Sequence, residues 1–259
     1  MPDRDADAPL HFVLVRGLSR EACHWGELPA LLRTHFAGSR VSCLDLPGAG
    51  IKHQQTSPLR VGHMVESLRM DFRQAAQPGE TAVLLAISLG GMIAAHWMQH
   101  YPDDFARAVL INTSFGDISP LHQRLRPAAF PALVRVLLTP RHERESVILG
   151  LVSNHVDARS RALPHWNRIR SERPMTLHNT ARQMWAAARF RLGNFVPRVP
   201  VLLLAATRDR MVSVECSRAI ARRWQVPVRE HPSAGHDLPL DDPAWVVDSL
   251  VAWLDKNGG

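Results

Sequence analysis

A chain of 259 residues, 46% hydrophobic and 21% charged, is long enough to bury a sizeable core and suits one α/β domain, or one domain with an insertion. The formal net charge is +7, and because Lys52 and Lys256 are the only lysines, nearly all the positive charge is arginine. No uninterrupted apolar run reaches the roughly 18 residues of a membrane span. Met1 to Pro9 is polar and acid-rich, without the basic start and apolar stretch of a secretory signal. Cys23, Cys43 and Cys216 cannot all pair and have no metal-binding spacing, so they read as reduced thiols of a cytoplasmic protein.

Short apolar runs alternate with longer amphipathic segments, the pattern of a parallel sheet covered by helices. His11 to Val15 is the first run, followed by a helix over Gly26 to His35. Arg40 to Leu44 is the second, ending at Asp45-Leu46-Pro47-Gly48-Ala49-Gly50, a turn by its dihedral demands. A helix over Val61 to Gln74 leads to the third run, Thr81 to Ile87, then a sharp turn and a helix to His100, stopped by Tyr101-Pro102. Ala106 to Ile111 is the fourth run. Pro200 to Ala205 and Val226 to Glu230 are the fifth and sixth, separated by a helix near Val214 to Trp224. Pro243 to Leu254 closes the chain as a helix with Asp242 as N-cap.

The interval 117–195 breaks this alternation. It reads as several helices broken at Pro127, Pro131, Pro140, Pro164 and Pro174, with helical apolar spacing over Ser146 to Val152 and Thr180 to Phe190. The expected organisation is therefore a core of residues 1–116 and 196–259, with 117–195 inserted as a helical cap over the strand C-termini. From Asp117 to Phe195, thirteen Arg stand against five Asp plus Glu, a local excess of +8 that leaves about −1 for the remainder. Such an excess favours anionic partners or substrates, with a solvated basic surface as the plainer reading.

Ser88 is the most informative residue. It lies in Leu84-Leu85-Ala86-Ile87-Ser88-Leu89-Gly90-Gly91-Met92, where an apolar strand gives way to a helix. Strand, sharp turn and helix with a serine at the apex make a nucleophile elbow, and the crowded turn requires small residues two places either side, here Ala86 and Gly90. A serine hydroxyl needs a base to take its proton, and the base needs an orienting acid. His236, in Gly235-His236-Asp237 after the last strand, is the candidate base. Asp209, just past the fifth strand, is the candidate acid. All three stand at strand C-termini, where open α/β sheets build sites. Asn112 occupies the other strand end where an acid could sit, but it cannot carry the charge. The oxyanion donors are expected to be the backbone N–H groups of Leu89 and Leu18, with Gly17 letting the Leu18 loop pass close to the substrate.

Arg16, Trp25 and Trp185 are candidate substrate-binding residues: Arg16 for a substrate carboxylate, the two indoles for an acyl pocket. Packing is the alternative for each. His96 and His100 have the i, i+4 spacing of metal ligands but lack the glutamate of the zinc protease motif, so no metal is expected. The five histidines of the insertion read as surface residues.

On these residues the chain resembles the α/β-hydrolase superfamily along nearly its full length. The pieces are His11-Phe12-Val13-Leu14-Val15-Arg16-Gly17, Leu44-Asp45-Leu46-Pro47-Gly48-Ala49-Gly50, Ala86-Ile87-Ser88-Leu89-Gly90-Gly91, Asp209 and Gly235-His236-Asp237. It looks most like small carboxylesterases, among them enzymes that cleave the methyl ester of a pimeloyl carrier-protein conjugate. The resemblance implies a Ser-His-Asp esterase needing no cofactor, with a helical cap matching 117–195. Three departures stand out. Arg16-Gly17 replaces the usual His-Gly, Ala86 replaces a glycine, and the first two strands of the family sheet are missing, so about six strands, all parallel, are expected. Ser88 disfavours the relatives with an aspartate nucleophile.

The sequence thus reads as a hydrolase of carboxylic esters acting on a small molecule with a moderately small, partly apolar acyl group, with an anionic or carrier-linked substrate left open. A thioesterase, amidase, carbon–carbon hydrolase or lyase on the same site, or a non-catalytic ligand receptor, are the alternatives. Nucleic-acid binding lacks any motif or aromatic-interleaved platform.

Overall fold

The computed structural model describes residues 8–257, and the reading of the N-terminus falls largely on residues 1–7, outside them. Six parallel strands form one sheet: β1 (Leu10–Val15), β2 (Arg40–Leu44), β3 (Thr81–Ile87), β4 (Arg107–Ile111), β5 (Val201–Ala206) and β6 (Val228–His231), in the spatial order β2-β1-β3-β4-β5-β6. Between the first four strands run α1 (Leu28–His35), α2 (Val61–Ala75) and α3 (Leu89–His100). Five helices separate β4 from β5: α4 (Leu121–Arg124), α5 (Phe130–Leu138), α6 (Arg144–Val152), α7 (Val156–Glu172) and α8 (Leu177–Arg189). The chain ends in α9 (Val214–Trp224), then β6, α10 (Leu238–Asp241) and α11 (Pro243–Asn257). Asp242 accepts a hydrogen bond from the Trp245 amide at 2.9 Å and so caps α11.

The four inner strands, β1, β3, β4 and β5, are largely buried on both faces because they are apolar at most positions, and their alternate side chains feed two different cores, whereas the edge strands β2 and β6 carry polar residues and are mostly half-buried. Val13, Val15, Leu84, Ala86, Leu110 and Leu203 point to the face covered by α2, α3 and α9. Phe12, Leu14, Leu85, Ile111, Leu202 and Leu204 point to the face covered by α1 and α11. A third, smaller cluster joins the inserted helices through Ala129, Leu149, Trp166 and Ile169.

The expected break at Pro164 is absent, for α7 runs through it. Pro164 and Ser160 are both exposed, so the Ser160 carbonyl that loses its N–H donor is accessible to water. The inserted segment begins and ends at one carboxylate: Asp117 accepts hydrogen bonds from the Leu192 amide at 3.0 and 3.1 Å and from the Gly193 amide at 2.7 Å. Among the described residues no helix is long and apolar enough to cross a membrane.

Candidate active site

Three of the sequence-predicted residues, Ser88, Asp209 and His236, follow the C-terminal ends of β3, β5 and β6. Ser88 follows β3 directly and takes φ 57° and ψ −120°, a conformation that a non-glycine residue adopts only under constraint. The surroundings supply that constraint. The Ser88 amide donates to the Ile111 carbonyl at 2.9 Å, and the Ser88 carbonyl accepts from the Gly91 amide at 2.9 Å and from the Thr113 hydroxyl at 2.8 Å. Gly90 lets α3 lie against the end of β1: a Cβ there would stand 2.4 Å from the Val15 carbonyl oxygen and 2.9 Å from that of Arg16. Gly17 is pressed as closely on the serine, where a Cβ would meet Ser88 Cβ at 2.9 Å and Ser88 Oγ at 3.4 Å.

His236 Nδ1 bonds Asp209 Oδ2 at 2.7 Å, with Asp209 1% exposed. The other Asp209 oxygen accepts the Met211 and Val212 amides at 2.7 and 3.0 Å, which fixes the carboxylate in the turn after β5. Burial works against the His236 imidazolium, but the charge and hydrogen bond of Asp209, with Asp237 adding to them, outweigh it, so the His236 pKa lies above its ordinary 6.5. With Nδ1 committed to Asp209, Nε2 is the ring nitrogen left for chemistry. Ser88 and His236 line the same cavity, and among the described residues no hydrogen bond joins them. The Leu18 and Leu89 amides donate to no protein acceptor among the described residues, and both residues line the cavity beside Ser88.

Asn112, passed over in the sequence for want of charge, is the staple of this region. It takes φ 45° at the end of β4. Its Oδ1 accepts the Ala206 amide at 2.8 Å, and its Nδ2 donates to the carbonyls of His236 at 2.8 Å and Gly235 at 3.4 Å. One buried side chain thereby ties the β4 and β5 ends to the histidine loop. A polar residue closing an apolar strand was the only sequence signal for it.

The three substrate-binding candidates fare differently. Trp25 is 1% exposed and packs in the α1–α11 core with Leu28 and Leu32, away from the cavity lining. Trp185 is 53% exposed on the outer side of α8 with the Arg189 guanidinium 5.2 Å from its ring centre, while its neighbours Met184 and Ala188 line the cavity. Neither indole forms the acyl pocket expected of it. Arg16 does border the cavity, but both of its terminal nitrogens are held by Asp237, at 3.0 and 2.5 Å, so it has no free fork for a substrate carboxylate.

The cavity has a volume of about 430 Å³. Its walls come from the elbow and from the inserted helices, with Met92, Leu125, Leu133, Ile148 and Leu151 prominent. Two buried carboxylates hold the arginines that approach it. Glu145 on α6 pairs with Arg20 at 3.0 Å and Arg170 at 2.8 Å, and Glu21 pairs with Arg173 at 2.6 Å. The loop after β1 is also gripped by α8, since the Ser19 amide donates to Gln183 Oε1 at 3.0 Å. Arg124 and Arg144 differ, giving their hydrogen bonds to the backbone carbonyls of Ala187, Thr139 and Leu137. Of the histidines in the insertion, His155 is half-buried and bonds the Asp241 carbonyl at 3.0 Å, so it is part of the seam between α6–α7 and the core. The His96 and His100 rings lie with their centres 3.9 Å apart, tilted by 31° to each other.

A family model described as the Alpha/beta hydrolase family matches residues 12–249. Over 155 residues the chain is 33% identical to the probable esterase PIR7A of Oryza sativa subsp. indica, covering 56% of this chain and 57% of that protein. Over 102 residues it is 32% identical to methyl jasmonate esterase 1 of Vitis vinifera, covering 39% of this chain and 38% of that protein. The chain therefore spans less than two thirds of the length of either relative. Among solved structures, the esterase EaEST from Exiguobacterium antarcticum superposes with a TM-score of 0.76 at 15% identity, over 96% of this chain and 92% of that one, a likeness of fold.

Proposed function

Because this chain belongs to the α/β-hydrolase family, we propose that it is a serine hydrolase that cleaves a carboxylic ester through an acyl-enzyme intermediate. One observation carries this reading. Ser88, set in a strained elbow at φ 57°, shares a cavity with His236, whose Nδ1 is bonded to Asp209 at 2.7 Å.

In the proposed reaction Ser88 Oγ attacks the acyl carbon while His236 Nε2 takes its proton. Asp209 holds the imidazole with its proton on Nδ1 and stabilises the imidazolium that forms. The Leu18 and Leu89 amides receive the oxyanion, a contribution of about 3 kcal/mol for each such donor in comparable sites. His236 then passes the proton to the departing alkoxide. A water activated by the same nitrogen attacks the acyl-enzyme and releases the acid, restoring Ser88. Apo geometry is often looser than these proton transfers demand, and substrate closes the serine–histidine bond.

The size and apolar walls of the cavity suit an acyl group of moderate size with an apolar body. The names of the relatives, an esterase and a methyl jasmonate esterase, support a small ester with a small alcohol. Arg124 and Arg144, lining the cavity without a carboxylate partner among the described residues, support an anionic or carrier-linked group on some substrates. The inserted helices over 117–195 act in this reading as a cap that excludes water from the acyl group. The test is labelling with a fluorophosphonate probe, which should mark the wild type and spare Ser88→Ala, followed by turnover of a panel of p-nitrophenyl esters beside acyl-thioesters. Full esterase activity in Ser88→Ala, or no labelling of the wild type, overturns the reading.

A further inference from the structure

We propose that Arg16 is a positioning residue: by gripping Asp237 it locks the loop after β1, which carries the oxyanion donor, to the loop after β6, which carries the base, and it offsets at His236 the field of the Asp237 carboxylate. This rests on the serine hydrolase reading above and adds to it a role for the arginine that stands here in place of the histidine usual before Gly17.

The geometry is that of a clamp. Arg16 is 2% exposed and Asp237 3% exposed, and the two form a bidentate pair at 3.0 and 2.5 Å across 221 residues of chain. The guanidinium is backed by the Trp25 ring, 4.8 Å from its centre, so it cannot withdraw from the carboxylate. Each partner is anchored beyond the pair. The Asp237 amide donates to the Val152 carbonyl at 2.8 Å, and the Arg16 carbonyl lies under Gly90, where a Cβ would come within 2.9 Å of it. Arg16 is two residues before Leu18 and Asp237 is one residue after His236, so any rotation of one loop is passed to the other. Trp25, expected from the sequence to line an acyl pocket, serves here as the backing plate.

The electrostatic half follows from who faces His236. Asp209 reaches it from the turn after β5, Asp237 from its own loop, and Arg16 from the loop after β1; the first two favour the imidazolium and the third opposes it. A buried carboxylate directly beside a general base would hold that base protonated, and therefore idle, to higher pH. Pairing Asp237 with Arg16 opposes part of that field, while Asp209, which orients the ring, remains the larger influence favouring the imidazolium.

The experiment follows the titration of His236 by NMR in histidine-labelled protein, assigned by its loss in His236→Gln, together with the pH profile of kcat/KM. In Arg16→Met the His236 titration and the acid limb of the profile are expected to move up together, on the order of one pH unit. Asp237→Asn moves both down by a similar amount, and Arg16→Met/Asp237→Asn returns the titration to near its wild-type position. Arg16→Lys keeps the charge and leaves the titration in place, but lowers kcat because the fork is lost. If Arg16→Met fails to fold, Asp237→Asn and Arg16→Lys still decide the matter. A His236 titration that is the same in wild type, Arg16→Met and Asp237→Asn overturns the proposal, as does a kcat in Arg16→Lys equal to wild type. The NMR titration needs no turnover, so the electrostatic result stands or falls separately from the esterase reading, which Ser88→Ala decides.

Discussion

Replacing Asp209 by asparagine changes a charge and almost nothing of the shape. In Asp209→Asn the side-chain oxygen can still accept the Met211 and Val212 amides, which lie 2.7 and 3.0 Å from Oδ1 in the wild type. The new amide nitrogen then faces His236 Nδ1, which sits 2.7 Å from the wild-type Oδ2. That nitrogen is a donor, so the imidazole must present Nδ1 as an acceptor and carry its proton on Nε2, the nitrogen that takes the Ser88 proton in the proposed reaction. The base is thereby disabled without being displaced. In a Ser-His-Asp protease the same change lowers kcat about 10⁴-fold, and under the proposed reaction a fall of about 10³ to 10⁴ is expected, roughly 4–5 kcal/mol of transition-state stabilisation. All three hydrogen bonds to the side chain persist, but between neutral groups instead of to a carboxylate, so stability should fall by only about 1–3 kcal/mol. Steady-state hydrolysis of a p-nitrophenyl ester gives kcat and KM, and thermal unfolding gives the stability change. KM should be little altered. If Asp209→Asn keeps kcat within tenfold of wild type while remaining folded, the tautomer argument is wrong.

The raised His236 pKa makes kcat/KM climb with pH through a limb lying above 6.5, read from a profile in buffers of constant ionic strength; the stability contributed by the His236–Asp209 coupling runs the other way, fully present below about 6.5 and lost as pH rises through the folded-state pKa. Gly90→Ala places a Cβ 2.4 Å from the Val15 carbonyl oxygen, a backbone atom that cannot swing aside, so thermal denaturation should show a loss of about 1–3 kcal/mol, with activity reduced because the Leu18 loop is pushed. Asn112→Leu strands the buried Ala206 amide and the His236 carbonyl and puts a branched residue at φ 45°, which should cost roughly 2–4 kcal/mol by urea denaturation and lower kcat more than it raises KM.

The sheet was largely legible because its strands are apolar runs bounded by turn residues. Arg40–Leu44, Thr81–Ile87, Leu89–His100 and Val214–Trp224 begin and end in the structure where the residue pattern changes. β6 starts two residues later than its apolar run, at Val228, because Pro227 lacks an amide for the ladder and pairing with β5 begins at Val228↔Leu203. Ser88, Asp209 and His236 stand out as candidates in the sequence because each follows a strand in a distinctive local setting, and the structure bonds His236 to Asp209 and sets Ser88 and His236 on one cavity. What could not be read were relations between distant residues. Nothing near Arg16 announces Asp237, nothing near Asn112 announces the His236 loop, and the depth of an indole is set by its neighbours in space. Trp25 and Trp185 look equivalent in composition, yet one is 1% and the other 53% exposed.

The Asp117 carboxylate has a bearing on how such a chain can vary. By binding the amides of Leu192 and Gly193 it brings the two ends of a long excursion to a single point beside β4 and β5. To the sheet, everything between those ends is one closed loop, and the entropy of closing a loop rises only slowly with its length. Helices can be lengthened, traded or trimmed there while the strands keep their register, so the segment that lines much of the cavity is free to diverge from the sheet whose ends carry Ser88 and Asp209.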